Sequence, residues 1–328
     1  MLKRALITGI AGQDGSYLAE LLLSKGYEVH GVVRRIAIED TEHKLKNILH
    51  LIDKIKLHIA SLDNVLSLIK VVRDIQPTEC YHLAASSFVS YSFEDEMSIL
   101  NNNVNSTHYL LAAIREFAPQ CRFYFAGSSE MFGNVAHSPQ DETTPFNPRS
   151  IYGISKVAGY HLAKNYREQY GLFTCMGILY NHESPRRGYE FVTRKIVSAA
   201  VKIKRGLQDA LVLGNIDASR DWGYAPDYVR AMWLMLQAER PDDYVVATGE
   251  LHMVREFVAA AFSLLDLDYQ RYIQVDPQLL RPTEKVPLCG NAANAEKRLG
   301  WSRTKSFQEI VRTMVDAEMS LYTKDTRR

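Results

Sequence analysis

The chain is poor in cysteine, and its few cysteines are isolated from one another. Its 328 residues contain four, at Cys80, Cys121, Cys175 and Cys289. Their separation excludes the closely spaced pairs that bind metals or perform redox chemistry. We therefore expect buried free thiols, no metal centre and a reducing compartment, with the cytoplasm as the expected location.

A strong net charge and a long apolar run are also missing. The 39 lysines and arginines nearly balance the 38 acidic residues, and a net charge of +1 gives no strong field towards nucleic acid or a membrane. No apolar run reaches the length of a bilayer span. Because the first residues have a strand pattern, we expect no signal segment there. With a hydrophobic content of 46%, we expect a globular protein that binds neither nucleic acid nor membrane.

Up to residue 180, short apolar runs of β type alternate with helical patterns. This alternation predicts an α/β fold, a doubly wound parallel sheet with its ligand site beyond the carboxyl ends of the strands. The predicted strands are residues 3–8, 28–33, 55–59, 79–82, 122–126 and 174–179, and the predicted helices are residues 15–25, 64–75, 97–117 and 152–170. Over residues 181–328 the pattern loosens and predicts a smaller C-terminal α/β lobe.

Three glycines at a spacing of three follow the first predicted strand. Gly9, Gly12 and Gly15 stand between the apolar run that ends at Thr8 and a helical pattern that begins at Ser16. A strand that turns tightly into a helix brings backbone N–H groups and the positive helix end to one point, which suits a pyrophosphate. Gly9 would permit the turn, Gly12 the approach of phosphate and Gly15 tight helix packing. A glycine-rich turn without a ligand is the alternative.

The tip of the second predicted strand bears on the choice of cofactor. Arg34 and Arg35 stand there, with no acidic residue before Glu39. In a dinucleotide fold an acid at this position binds the ribose 2′-hydroxyl of NAD, whereas arginine accommodates the 2′-phosphate of NADP. The sequence therefore favours NADP, with a solvated basic loop as the alternative. After the fourth strand, the small residues 83–87 would let the backbone approach a cofactor or form a tight polar turn.

A phenol, an ammonium and a carboxylate form the candidate catalytic group. Tyr152 and Lys156 lie four residues apart on one predicted helix face. A free tyrosine titrates near about 10, and the neighbouring cation is expected to favour the phenolate and make Tyr152 a base near neutral pH. After the fifth strand, Ser128 would hydrogen-bond the substrate hydroxyl, and Glu130 adds a carboxylate that a simple dehydrogenase does not need. A helix N-cap with a capping glutamate is the alternative for Ser128 and Glu130.

In this order, the motifs resemble the extended short-chain dehydrogenase/reductase family, and most closely its GDP-mannose 4,6-dehydratase group. The resemblance covers nearly the whole chain. Residues 181–195 are its most specific part, because they are typical of this dehydratase group rather than of the superfamily. The motifs that carry it are ITGIAGQDGSYL at 7–18, SEMFG at 129–133, YGISK at 152–156, NHESPRRG at 181–188, FVTRK at 191–195, RDWG at 220–223, RPTE at 281–284 and LGW at 299–301.

The resemblance implies a lyase that converts GDP-mannose to GDP-4-keto-6-deoxymannose, with NADP reduced and reoxidised within each turnover. Tyr152 takes the proton from the sugar O4 while hydride leaves C4, and the resulting ketone acidifies the C5 proton. Glu130 removes that proton and assists the loss of water from C6, with hydrogen bonds from Ser128 and Ser129. Hydride then returns to C6.

The resemblance also implies the binding residues and the assembly. Residues 1–180 are expected to form the NADP-binding Rossmann domain and residues 181–328 the nucleotide-sugar-binding lobe, in a homodimer or homotetramer. The expected cofactor-binding residues are Gly9, Gly12, Gln13, Asp14, Gly15, Arg34, Arg35, Leu62, Leu83, Ala84, Ala85, Ser87, Tyr152, Lys156, His182 and Arg187. The expected substrate-binding residues are Ser87, Ser128, Ser129, Glu130, Asn181, Lys195, Leu213, Gly214, Arg220, Arg281 and Glu284.

Three departures from the family pattern leave alternatives open. Ser128 stands where relatives have threonine, and Ser61 stands where they have an aspartate that contacts adenine. Residues 36–39 replace a serine-rich loop that reaches a neighbouring subunit, which makes a tetramer less secure than a dimer. The alternatives are another GDP-sugar such as a GDP-heptose, a nucleotide-sugar reductase or epimerase on the same scaffold, and a non-catalytic NADP-binding protein.

Overall fold

The computed structural model describes residues 2–86, 93–279 and 286–324. Its strands are β1 (Arg4–Thr8), β2 (Glu28–Val33), β3 (Lys56–Ile59), β4 (Glu79–His82), β5 (Arg122–Ser128), β6 (Thr174–Leu179), β7 (Asn181–Glu183), β8 (Leu211–Leu213), β9 (Ser219–Tyr224), β10 (Asp243–Val246), β11 (Leu251–Met253) and β12 (Ile273–Val275). Its helices are α1 (Gln13–Ser24), α2 (Arg35–Glu39), α3 (Thr41–Lys44), α4 (Val65–Ile75), α5 (Phe93–Phe117), α6 (Ile151–Tyr170), α7 (Val192–Lys204), α8 (Ala225–Gln237), α9 (Val254–Ser263), α10 (Ala293–Leu299) and α11 (Phe307–Lys324). Within these described ranges, no helix is both long enough and apolar enough to span a membrane.

Seven strands form one sheet in the order β10–β6–β5–β4–β1–β2–β3. All of its neighbouring strands are parallel. The predicted doubly wound α/β sheet is therefore confirmed, and all six strands predicted before residue 180 lie in it. Strand order reverses between β1 and β4, and the crevice beyond their carboxyl ends is the usual ligand site of such a sheet.

The sheet is buried on both faces by helices. β4 and β6 are buried at every position, as expected of central strands in a parallel sheet. Leu18 and Leu22 of α1 and Met232 of α8 belong to the apolar core on one face. Leu68 of α4 and Leu111 of α5 belong to the core on the other face.

A side-chain cap fixes the start of the helix that carries the candidate base. Ser150 precedes α6, and its hydroxyl accepts a hydrogen bond from the Gly153 N–H at 3.1 Å. The helix ends at Gly171, whose φ of +67° is the left-handed conformation that glycine adopts without strain. The first turn of α6 is therefore set by local sequence.

The residues after β7 divide between the large sheet and a separate lobe. α8 packs against α1, and β10 adds the last strand of the sheet beside β6. α7, α9 and α11 instead share a third apolar core that includes Ile196, Phe257 and Val311. The division at residue 180 stays a prediction, and the chain crosses between sheet and lobe more than once.

Asp243 ties β10 to α6 through a nearly buried ion pair. Its carboxylate accepts hydrogen bonds from the Tyr160 hydroxyl at 2.6 Å and from Arg167 at 2.8 and 3.2 Å. Asp243→Asn would remove the counter-charge of Arg167, so we expect the free energy of unfolding to fall by about 3 kcal/mol. Urea denaturation followed by circular dichroism measures this loss.

The neighbouring Asp242 provides a matched control. It pairs with Arg298, and both side chains are more than one-third exposed. Asp242→Asn is therefore expected to cost less than about 1 kcal/mol, as exposed ion pairs do. Equal losses in the two variants would contradict the role given to Asp243.

Candidate active site

The glycine turn has the geometry of a pyrophosphate cradle. Gly9 has a φ of +76° and its carbonyl accepts a hydrogen bond from the Gly12 N–H at 3.0 Å. A Cβ on Gly15 would lie 2.2 Å from the Gly9 carbonyl oxygen, so only glycine lets α1 approach β1 this closely. Gly12 is exposed, and a Cβ there would meet only the Gly9 oxygen within 4 Å. The positive end of α1 is therefore open to an anion.

His82, the last residue of β4, is neutral and joins the end of β1 to α5. The Thr107 hydroxyl donates to the Asn103 carbonyl at 2.8 Å, so it accepts from His82 Nε2 at 3.2 Å. His82 Nδ1 then accepts from the Thr8 hydroxyl at 2.8 Å, and Thr8 accepts from the Ala84 N–H at 3.2 Å. Burial lowers the pKa of His82 to about 3, which keeps the ring neutral. The histidine is a structural link, not a proton carrier.

Asn103, which the sequence reasoning missed, fixes the loop after β4. Its side chain accepts from the Ser86 N–H at 2.9 Å and donates to the Ser155 hydroxyl at 3.0 Å. Ser155 in turn donates to the Tyr152 carbonyl at 2.7 Å. One buried amide thus ties the loop to the helix that carries the candidate base. The available signal was a polar residue on the buried face of α5, four residues after the buried Ile99.

The remaining predicted cofactor residues surround the turn. Leu83, Ala84 and Ala85 follow β4 and Leu62 follows β3, and all four are half-buried, whereas Ser87 lies outside the described residues. Arg34 and Arg35 are both exposed at the tip of β2. In the part of the chain that the structure describes, neither guanidinium has an ion-pair partner. The basic strand tip predicted from the sequence is present and faces solvent.

Tyr152 and Lys156 are neighbours on α6, and both are in a buried environment that shifts their pKa values. The buried Lys156 ammonium donates to the Ala126 carbonyl at 2.8 Å and lies 5.6 Å from the centre of the Tyr152 ring. Burial lowers the pKa of Lys156 to about 8. Burial, with the charge of Glu130, raises the pKa of Tyr152 to about 12, although a hydrogen bond with Ser128 opposes this rise. Burial is the largest influence on the pKa of this phenol, and the expectation that Lys156 makes Tyr152 a base near neutral pH stays a prediction.

Ser128, Ser129 and Glu130 lie at the end of β5, directly beneath α6. The Ser128 hydroxyl accepts from the Glu130 N–H at 3.3 Å and caps a short 3₁₀ turn, so the N-cap alternative is also realised. A Cβ on Gly153 would lie 2.6 Å from the Glu130 carbonyl oxygen, so α6 rests on this turn. Glu130 is half-buried, and its charge acts on the Tyr152 phenol.

Charged residues from α1 and from the segment after β7 act on the same phenol. His182 Nε2 lies 2.8 Å from Asp14 Oδ2, and Gln13 Nε2 donates to the His182 carbonyl at 3.1 Å. Arg187 lowers the pKa of Tyr152 and Asp14 raises it, which places both charges within reach of the phenol. The structure therefore brings together residues that are more than 160 positions apart in the chain.

The predicted substrate residues of the lobe lie on four elements. They are Asn181 in β7, Lys195 in α7, Leu213 and Gly214 at the end of β8, and Arg220 in β9. Lys195 Nζ donates to the Val212 carbonyl at 2.7 Å, which brings it beside the end of β8. β7 and β9 pair in one sheet, so Asn181 and Arg220 lie on adjacent strands. Arg281 and Glu284 lie outside the described residues.

Comparison with known proteins gives concordant matches. A family model described as GDP-mannose 4,6 dehydratase matches residues 6–314. GDP-mannose 4,6 dehydratase 2 of Arabidopsis thaliana is 50% identical, over 97% of this chain and 87% of that protein. GDP-mannose 4,6 dehydratase of Cricetulus griseus is 45% identical, over 97% of this chain and 92% of that protein. The structure of Thermus thermophilus UDP-glucose 4-epimerase complexed with NAD is similar with a TM-score of 0.83 and 26% identity, over 96% of this chain and 98% of that one.

Gly153→Ala tests whether the contact between α6 and the Glu130 turn matters for catalysis. The new Cβ would meet a backbone oxygen at 2.6 Å, so the helix must move away from the turn. A displacement near 1 Å is expected to lower kcat by about 100-fold. Steady-state kinetics measures the change.

Gly159→Ala is the matched control in the same helix. Its Cβ would lie 2.4 Å from the Phe125 ring, beneath α6 but away from the Glu130 turn. We expect both variants to unfold at lower urea concentration, because both overpack a close contact. A kcat that falls equally in the two variants would show that general loosening, not the turn, sets the rate.

Proposed function

This chain belongs to the GDP-mannose 4,6-dehydratase family, and on that premise we propose that it converts GDP-mannose to GDP-4-keto-6-deoxymannose with NADP recycled internally. One observation carries the proposal: Tyr152, Ser128 and Glu130 meet at the carboxyl end of β5, and both neighbours act on the Tyr152 phenol. A hydroxyl oxidation needs the phenol and the serine. An elimination of water also needs a carboxylate that accepts a proton from carbon, and Glu130 supplies it.

The residues present fit a bound dinucleotide. The cradle at Gly9 and Gly15 has no room for a Cβ, and the positive end of α1 suits a pyrophosphate. Arg34 and Arg35 offer two guanidinium groups for a 2′-phosphate, and the first acid after them, Glu39, lies at the far end of α2. These features support NADP rather than NAD.

The chain supplies the proton acceptor for the first step. When bound, the nicotinamide of NADP supplies a hydride acceptor and a positive charge. Tyr152 takes the proton from the sugar O4, and the hydrogen bond with Ser128 favours the phenolate that forms. The Lys156 ammonium, held by the Ala126 carbonyl, adds a second positive charge near the ring. The raised pKa of the free phenol means that Tyr152 needs such positive charge to act as a base.

The carboxylate performs the elimination. A ketone at C4 makes the C5 proton acidic, and Glu130 accepts that proton. The proton passes from Glu130 to the C6 hydroxyl, which leaves as water. Ser129 is buried beside Glu130 at the end of β5 and offers a further hydrogen bond. Tyr152 holds the O4 proton through this step and gives it to C5 when C6 becomes a methyl carbon, so that Tyr152 and Glu130 both return to their starting protonation states.

GDP-mannose labelled with deuterium at C4 tests the whole proposal in one incubation. With catalytic NADP⁺, we expect a product lighter by one water that carries the deuterium at C6, with no net reduced cofactor. Mass spectrometry of the nucleotide-sugar measures both features. An unchanged mass would point to an epimerase or, if NADPH added afterwards is consumed stoichiometrically, to a reductase; either result would overturn the proposal.

Glu130→Gln separates the elimination from cofactor binding. The amide cannot accept the C5 proton, so we expect dehydration to fall by about 10²- to 10⁴-fold while NADP binding is retained. Product mass and NADP titration measure the two effects. Glu168→Gln, at an exposed glutamate of α6, is the control and is expected to be fully active. Normal turnover by Glu130→Gln would remove Glu130 from the mechanism.

Arg35→Asp tests whether Arg35 binds the 2′-phosphate of NADP. Loss of a charge-assisted hydrogen bond and a new repulsion are expected to weaken NADP binding by about 10- to 100-fold and NAD binding much less. Lys44→Asp, which reverses an exposed charge at the end of α3, controls for the change in net charge. An unchanged preference for NADP in Arg35→Asp would show that the 2′-phosphate is bound elsewhere.

Location and assembly stay predictions. A cytoplasmic enzyme that forms a homodimer or homotetramer remains the expectation, as does the absence of nucleic-acid and membrane partners. Light scattering of the purified protein measures the assembly state.

A further inference from the structure

Polar contacts hold the first two turns of α1 to the segment of residues 180–187. Ser184 donates to Gln13 Oε1 at 2.8 Å, and Gln13 Nε2 donates to the His182 carbonyl at 3.1 Å. One turn later, Arg186 donates to the Ser16 hydroxyl at 3.0 Å. The helix whose start forms the pyrophosphate cradle is thus bound along its side to the segment that carries predicted cofactor and substrate residues.

An ion pair lies at the centre of this contact. His182 Nε2 is 2.8 Å from Asp14 Oδ2, and His182 Nδ1 is 2.7 Å from the Tyr180 carbonyl oxygen. A carboxylate and a carbonyl can only accept, so both ring nitrogens donate and the imidazole is positively charged. The ring is buried and stacks on Tyr228 of α8 with 4.5 Å between ring centres. The two acceptors therefore hold the His182 ring in its protonated form, and together with Tyr228 they also hold it in place.

Groups from each packed element act on this pair. Burial alone would lower the pKa of His182, but Asp14 raises it above its usual value while Arg187 opposes the rise. Burial alone would raise the pKa of Asp14, but His182 lowers it below its usual range, with help from Arg187. From α6, the Tyr152 phenol senses the charge of Asp14. Each partner thus favours the ionised form of the other, and the charge of Asp14 also acts on the candidate base.

We infer that Asp14 and His182 are a positioning pair, which fixes residues 181–187 against the pyrophosphate cradle and so aligns the sugar with the hydride acceptor. The inference rests on the proposed function, because alignment matters for a reaction that moves hydride from C4 and back to C6. The pair joins two binding regions that the chain separates by 168 positions. A shift between those regions changes the distance between the reacting atoms without removing either binding site.

Asp14→Asn and Glu20→Gln form a matched comparison. Both replace an acid of α1 by its amide, and both acids pair with the same segment, through His182 and Arg186 respectively. We expect Asp14→Asn to lower kcat about 100-fold and to leave KM for GDP-mannose within about threefold, since the residues expected to bind the nucleotide-sugar persist. Glu20→Gln is expected to keep both constants. A loss confined to KM, or equal effects of the two variants, would overturn the positioning role.

The pH dependence and a double variant show whether the positioning needs the charges of Asp14 and His182 or only a contact between these two side chains. Because the His182 pKa is raised, the ion pair is complete below about 6.5 and is lost as pH rises through the raised value. Asp14→Asn/His182→Gln places two neutral amides across the same gap, so we expect kcat to recover about tenfold over Asp14→Asn. The double variant should also lose the part of the pH profile that belongs to His182. Superimposable wild-type and double-variant profiles would contradict the inference.

Nitrogen NMR of the protein with labelled histidine measures the protonation state of His182 independently of turnover. The His182 signal, identified by its loss in His182→Gln, is expected to be that of an imidazolium in the wild type at neutral pH and of a neutral ring in Asp14→Asn. A neutral ring in the wild type would overturn the inference whatever the kinetics. If the wild type makes no 4-keto sugar, the proposed function is overturned and the positioning role with it. The NMR signal still shows in that case whether Asp14 and His182 form an ion pair.

Discussion

Contact of backbone with backbone at the carboxyl edge of the sheet is the constraint on which the site depends. α1 and α6 both rest on a carbonyl oxygen through a glycine, Gly15 on the oxygen of Gly9 and Gly153 on that of Glu130. A side chain at either position would push a helix start away from the sheet. The pyrophosphate cradle and the candidate base would then separate from the end of β5. Two motifs that are distant in sequence therefore share one requirement, which is the absence of a Cβ.

The electrostatics of the site work against a free phenolate. Burial and the negative charges of Glu130 and Asp14 raise the pKa of Tyr152, while Ser128 and Arg187 lower it. Tyr152 is therefore held in its neutral phenol form, which gives up its proton reluctantly. An oxidised nicotinamide is positively charged and a reduced one is neutral, so only the oxidised form favours the phenolate. Under the proposed function, the same residue can accept the O4 proton first and give it to C5 as the hydride is given back to C6.

The periodicity of apolar residues was enough to predict most of the strands and helices of the sheet. The remaining features depend on contacts between residues that are distant in sequence. Most of the six strands before residue 180 were predictable because buried parallel strands are short runs rich in apolar residues, whereas the edge strand β3 has no buried residue. α2 and α3 were missed because five and four residues are too few for a helical period to show. The glycine triplet and the spacing of Tyr152 and Lys156 are local patterns, so the sequence revealed them. The partners of Asn103 and the raised pKa of Tyr152 depend on burial in the folded chain. The spacing of residues along the sequence does not show burial.

The way β6 continues into β7 limits how the lobe can move. A single residue, Tyr180, separates the last residue of β6 from the first of β7, and its N–H donates to the Val246 carbonyl of β10 at 3.0 Å. The Tyr180 hydroxyl also donates to the buried Gln140 side chain at 2.8 Å. The segment with Asn181 therefore follows the large sheet directly, without a hinge linker, although β7 itself pairs with β9 in a second sheet. Because the sheet itself sets where this segment lies, a different sugar would have to be selected by side chains that line the site, not by a different closure of the lobe.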